Sequence, residues 1–136
     1  MNRFVIDNSV VMSWFFSDEA SDYTRRVLES LADNAAFVPS IWPLEVANVL
    51  LVGQRRSRCT EAEAARFVTL LEALPIHVDG RTPEKALHEI LQLGREHGLS
   101  SYDAAYLELA MREGIPLATQ DRALLRAAGA AGVAIF

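Results

Sequence analysis

Five short apolar runs, separated by stretches of helical periodicity, constrain this chain more than any other feature. FVID at 4–7, AFVP at 36–39, PIHV at 75–78, IPLAT at 115–119 and VAIF at 133–136 read as strands. Between them the spacing predicts a short helical turn from Ser9 and a helix over 19–33 with Ser17 as its cap. A further helix runs through SIWPLEVANVLLVGQRRS, with Pro43 in its first turn, and another opens on the capping box TEAE at 60–63 and ends near Leu74. Thr82–Pro83 opens a helix closed by Gly98. Ser100–Ser101 opens one closed by Gly114, and QDRALLRAAG is the terminal helix. Strands alternating with helices need crossover connections, so the expected class is α/β with a central, mainly parallel sheet of about five short strands. The strands are almost purely apolar, as strands covered on both faces should be. A chain of 136 residues is expected to form a single domain, 1–136.

The charge balance narrows the function. A net charge of −5 argues against a protein that coats nucleic acid nonspecifically, but not against a nuclease, whose carboxylate-rich pocket is itself acidic. Cys59 is the single cysteine, so no internal disulfide forms and no cysteine cluster holds zinc; a reducing cytoplasm fits. The early apolar run, broken by Ser13, is far too short to span a membrane, and none is expected. The local basic cluster QRRSR, with Arg55, Arg56 and Arg58, reads either as a solvated helix end suited to the dipole or as a contact for a phosphate backbone.

Ligands of parallel α/β sheets bind at the carboxyl ends of the strands. Asp7 directly follows the first strand and Asp121 follows the fourth. Glu45 and Asp103 lie in the first turns of their helices. At about 100° per residue, Ser101, Ala105, Glu108 and Arg112 fall on one side of their helix, taken as the solvated face. Asp103 points the other way, with Tyr106, Leu107 and Ala110. Asp121 shares a stripe with Leu124, Leu125 and Ala128. Leu44–Val52 is apolar almost all round and is expected to be buried, with Glu45 and Asn48 on one polar strip. Each acid alone also fits a first-turn charge that answers the helix dipole. Together they would repel, by roughly 4 kcal/mol for two unit charges about 4 Å apart at an effective dielectric of 20. Such a site must hold protons or a cation, and all-oxygen ligation suits Mg²⁺ or Mn²⁺.

VIDNSVVMSWFF, PLEVANVL, LSSYDAAYLELA and LATQDRALLRAAGAAG resemble, in order and spacing, the four acidic motifs of PIN-domain ribonucleases. The likeness is greatest to the VapC-type toxins of bacterial toxin–antitoxin pairs, and it covers essentially the whole chain. In the family a small residue usually stands between the acid and the hydroxyl of the first motif, where this chain has Asn8. The resemblance implies a PIN-like three-layer α/β/α fold and Mg²⁺-dependent endonucleolytic cleavage of RNA, with Mn²⁺ as a substitute. It also implies a homodimer and a cognate antitoxin. Asp7 and Asp103 would be the principal metal ligands, with Glu45 and Asp121 completing the site. Ser9, Asn48 and Thr119 suit roles in orienting carboxylates or touching phosphate, and Ser9 and Thr119 equally suit plain helix caps.

Other readings stand beside this one. The same fold could serve RNA processing without an antitoxin, or act as a non-catalytic module that docks a basic peptide in its acidic pocket. An aspartyl phosphatase fits worse, because Ser9 sits where its second aspartate would be. His77, His88 and His97 are scattered and read as structural or exposed. Trp14, Phe15 and Phe16 read as core or interface, and Asp18 and Glu19 as early-helix charges.

Overall fold

The computed structural model describes residues 2–136. Four parallel strands, β1 (Arg3–Ile6), β2 (Ala35–Val38), β3 (Ile76–Val78) and β4 (Leu117–Ala118), form one sheet in the order β3-β2-β1-β4. Phe4, Val5 and Ile6 are fully buried, the signature of a central strand covered on both faces. The fifth expected strand is reduced to a single parallel bridge between Leu117 and Ile135. Two backbone hydrogen bonds flank it, from Leu117 to Ala134 at 2.9 Å and from Phe136 to Leu117 at 3.0 Å. β4 is only two residues long and offers no more edge to pair with. The tail is held instead by stacking of Phe136 on Phe4.

The helices are α1 (Asn8–Ser13), α2 (Asp22–Ser30), α3 (Trp42–Arg55), α4 (Glu61–Ala73), α5 (Thr82–Lys85), α6 (Leu91–His97), α7 (Ser101–Glu113) and α8 (Arg122–Ala131). A 3₁₀ turn covers Ser17–Glu19, and a π-helical stretch, Ala86–Ile90, joins α5 to α6. The helix expected over 19–33 therefore starts later. Ser21 and Thr24 form a reciprocal capping box that fixes its first turn, and Ser17 does not cap it. The capping box of Thr60 and Glu63 opens α4 as its sequence predicts. Gly98 and Gly114 stop α6 and α7 in the left-handed region, at φ +65° and +64°, where a side chain would be strained. Among the described residues, no helix is long and apolar enough to cross a membrane.

Two packing expectations are corrected. α3 is not buried all round: Trp42, Val46, Leu50 and Gly53 face the core, while Leu44 is 68% and Leu51 47% exposed. The middle of the supposed solvated face of α7 is buried, with Ala105 and Glu108 at 4% and 5% exposure, because α6 and the π-helical stretch pack on α7; only Ser101 stays open. Its charges answer one another instead: Arg112 binds Glu108 at 2.9 Å and Asp79 at 2.7 Å. The Trp14–Phe16 run, read as core or interface, packs on the core: Phe16 is buried, and Trp14 and Phe15 are half-buried against it. Phe15 packs against Phe16 and Phe67, and the Trp14 indole N–H donates to the Thr24 carbonyl.

Candidate active site

The strand order puts a topological switch beside β1. The chain steps from β1 to β2 to β3 on one side, then places β4 on the other. Ligands of open α/β sheets bind in the crevice that such a reversal opens at the carboxyl ends of the strands. Asp7 leaves β1 at that point, and its backbone N–H extends the β1–β4 pairing by donating to the Ala118 carbonyl at 3.0 Å. Thr119 and Asp121 leave β4 beside it.

Asp7 is 5% exposed, and one of its oxygens, Oδ2, accepts two hydroxyls: Ser9 at 2.6 Å and Thr119 at 3.0 Å. Thr119 also accepts the Asp121 backbone N–H at 3.0 Å, and Asp121 caps α8 by accepting the Leu124 N–H at 2.9 Å. For Asp121 the capping role is thus real, and it leaves the second oxygen outside that bond. On α7 the cap is Ser100, which accepts the Asp103 N–H at 3.1 Å, so Asp103 is not itself the cap. Glu45, in the first turn of α3, accepts the Tyr106 hydroxyl at 2.6 Å.

Electrostatics tie the four acids together. Burial pushes Asp7 above the ordinary carboxylate range against the pull of its two hydroxyls, and the Asp121 charge adds to the rise. Glu45 is raised by burial first, then by Asp7 and Asp103; Asp103 is raised by burial, then by Asp7 and Asp121. Asp79, Glu108, Glu113, Asp18 and Glu19 all have arginine partners, but among the described residues none of the four rim acids is in an ion pair. They share a field without forming a closed cage, and among the described residues no group of three acid, histidine or cysteine side chains is gathered tightly enough to hold a metal ion as it stands. Mutual repulsion opposes closer approach until a cation offsets it. The donor set of carboxylates and hydroxyls, without sulfur or imidazole, fits a hard divalent ion.

The pattern of the PIN domain matches residues 4–130, nearly the full length. The chain belongs to the PIN domain family. Its relatives include Ribonuclease VapC3 of Pyrobaculum aerophilum, 29% identical over 126 residues, which span 90% of this chain and 92% of that protein. Ribonuclease VapC1 of Mycobacterium tuberculosis is 29% identical over 131 residues, 95% of this chain and 93% of the relative. Solved structures that share the fold of this PIN domain include the following two. PAE2754 from Pyrobaculum aerophilum has a TM-score of 0.66 at 24% identity, covering 93% of this chain and 79% of that one. VapBC2 from Rickettsia felis, solved bound to a DNA fragment from its promoter, has a TM-score of 0.66 at 12% identity, covering 98% and 97%.

Of the other residues singled out by sequence, Ser9 and Thr119 contact Asp7, whereas Asn48 is exposed on α3 and Glu45 takes its hydrogen bond from Tyr106 instead. Arg55 and Arg56 are exposed at the end of α3. Arg58 is occupied: it pairs with Asp18 and Glu19 and lies over the Phe16 ring, 4.0 Å from its centroid. Tyr106 is the residue that sequence reasoning missed. Periodicity places it in the core, and its position one turn beyond Asp103 also brings its hydroxyl to Glu45 at the rim.

Proposed function

We propose that this PIN domain, a single unit over 1–136, is a metal-dependent endoribonuclease and the toxin of a toxin–antitoxin pair. The observation that carries the reading is the set of four carboxylates at the sheet's switch point, coupled to one another and, among the described residues, without a cationic side chain as partner. The names of the VapC relatives, both ribonucleases, supply the substrate class. Asp7 and Asp103 are the principal ligands for Mg²⁺ or Mn²⁺, and Glu45 and Asp121 complete the set. When bound, such an ion offsets phosphate charge and acidifies water. Ser9 and Thr119 hold one oxygen of Asp7, which orients the other. A rim carboxylate not bound directly to the ion accepts the proton of the attacking water. Arg55 and Arg56 are available to phosphates of the RNA.

Two protein partners follow. An antitoxin presenting an arginine to the four acids would relieve the same repulsion as the metal, through charge-assisted hydrogen bonds. A second copy of the chain would cover Leu44 and Leu51 on α3, beside a cavity of about 350 Å³ lined by Trp42, Val46, Leu50, Val68 and Leu71. The test of the activity is incubation of purified protein with RNA in Mg²⁺, Mn²⁺ or EDTA. Endonucleolytic products are expected with either ion and none with EDTA; RNA left intact in all three would reject the reading.

A further inference from the structure

Tyr106 is fully buried, and its hydroxyl crosses from α7 to reach Oε1 of Glu45 on α3 at 2.6 Å. A tyrosine kept only for its ring would gain nothing from a phenol at this place, since burying a hydroxyl is costly unless it is bonded. Here the partner is a carboxylate, which makes the bond short and strong. Elsewhere the protein holds inward-facing acids with a cation: Arg112 grips both Asp79 and Glu108 and offsets part of their charge. At the rim the donors are all neutral. Ser9 and Thr119 serve Asp7, and Tyr106 serves Glu45. A neutral donor fixes the direction of a carboxylate and leaves its charge available to a ligand. Glu45 has the longest and most flexible side chain of the four, so it has the most orientational freedom to lose.

We propose that Tyr106 is a positioning residue: its hydroxyl anchors Oε1 of Glu45 so that Oε2 is presented to the divalent cation of the rim. This rests on the metal-dependent reading above. Outer hydrogen-bond partners of metal ligands commonly govern affinity in this way.

The test measures Mn²⁺ binding to the metal-stripped full chain, with free Mn²⁺ read by electron paramagnetic resonance. It compares wild type, Tyr106→Phe, Glu45→Gln and the double variant. Phe keeps the ring, and a thermal melt in EDTA checks that each variant is folded. Tyr106→Phe should bind Mn²⁺ roughly 10-fold more weakly, and cleavage should return when Mn²⁺ is raised by a similar factor. In the Glu45→Gln background, Tyr106→Phe should cause no further loss, because it acts through the missing charge. Unchanged Mn²⁺ affinity in Tyr106→Phe, or the same loss with and without the Glu45 charge, overturns the proposal while leaving the metal reading intact. A wild type that binds no Mn²⁺ overturns both.

Discussion

Thr119 and Asp7 are 112 residues apart in the chain and joined by a 3.0 Å hydrogen bond from Oγ1 to Oδ2. The same threonine oxygen accepts the Asp121 N–H, so one hydroxyl links the ends of β1 and β4 and the start of α8. Thr119→Val removes that link at nearly constant volume and leaves a buried carboxylate short of a donor. It should destabilise the protein by about 1–3 kcal/mol and weaken Mn²⁺ binding. Chemical denaturation with a parallel Mn²⁺ titration measures both; an unchanged variant would show that the bond is incidental.

Asp103→Asn separates a capping charge from a member of the carboxylate set. Ser100 provides the cap, so little helix stability depends on Asp103. Its proton affinity is raised by burial and by Asp7 and Asp121, so the folded protein disfavours its charge. Neutralisation should therefore stabilise the metal-free protein, by up to about 1 kcal/mol after solvent screening. It should also abolish cleavage and shrink the stabilisation given by Mn²⁺. Asp33→Asn, on an exposed turn, should do none of this. Thermal melts in EDTA and in Mn²⁺, beside a cleavage assay, decide the matter; a variant less stable in EDTA but still active returns Asp103 to a dipole-compensating role.

The pH dependence of stability has two windows of opposite sign. Asp79 is held below its ordinary value, first by its hydrogen bonds from Arg112. Its contribution is complete above about pH 4 and is lost as pH falls through the depressed value. Asp7, Glu45 and Asp103 are raised, chiefly by burial. Their contribution is complete below about pH 4 and is lost as pH rises through the raised values. In EDTA the melting temperature should therefore fall as pH rises from about pH 4 toward neutrality, and saturating Mn²⁺ should remove most of that fall. A melting temperature that climbs with pH in EDTA across this range contradicts the coupling.

Arg112→Met leaves Asp79 and Glu108 facing each other, with side chains only 15% and 7% exposed and no cation between them. Removing one partner of a buried ion pair typically costs about 3 kcal/mol or more. Urea denaturation at neutral pH should show a loss of that order, and at low pH, where the carboxylates are protonated, the deficit should shrink. A loss that does not depend on pH would point to packing of the arginine stem instead.

Leu44→Glu combined with Leu51→Glu places charge on the open face of α3 without touching its buried stripe. Light scattering at micromolar concentration should give twice the 15.0 kDa chain mass for wild type and the chain mass for the variant. Wild type that scatters as a single chain would reject the dimer.

The sequence by itself determined the α/β class, four of the strands and the acids to watch. Periodicity and caps are local properties, and Asp7, Glu45, Asp103 and Asp121 each lie within a few residues of a strand end or helix start. Capping boxes were legible only where a single reading of the spacing was possible: Thr60 with Glu63 was, whereas Ser21 with Thr24 was hidden behind Ser17. Tertiary structure decided what periodicity cannot express. Whether an apolar helix face is covered depends on what lies across from it, so α3 keeps Leu44 and Leu51 open while the charged side of α7 is roofed by α6 and folded around Arg112. VAIF has strand composition, but a two-residue β4 gives it a single bridge. Ser9 and Thr119 stood out in the sequence as hydroxyls able to orient a carboxylate, but which acid Thr119 serves, and that Tyr106 serves Glu45, were invisible in one dimension. Tyr106 reaches Glu45 across 61 residues and Thr119 reaches Asp7 across 112, because the crossover of β4 to the far side of β1 brings those chain ends to one rim.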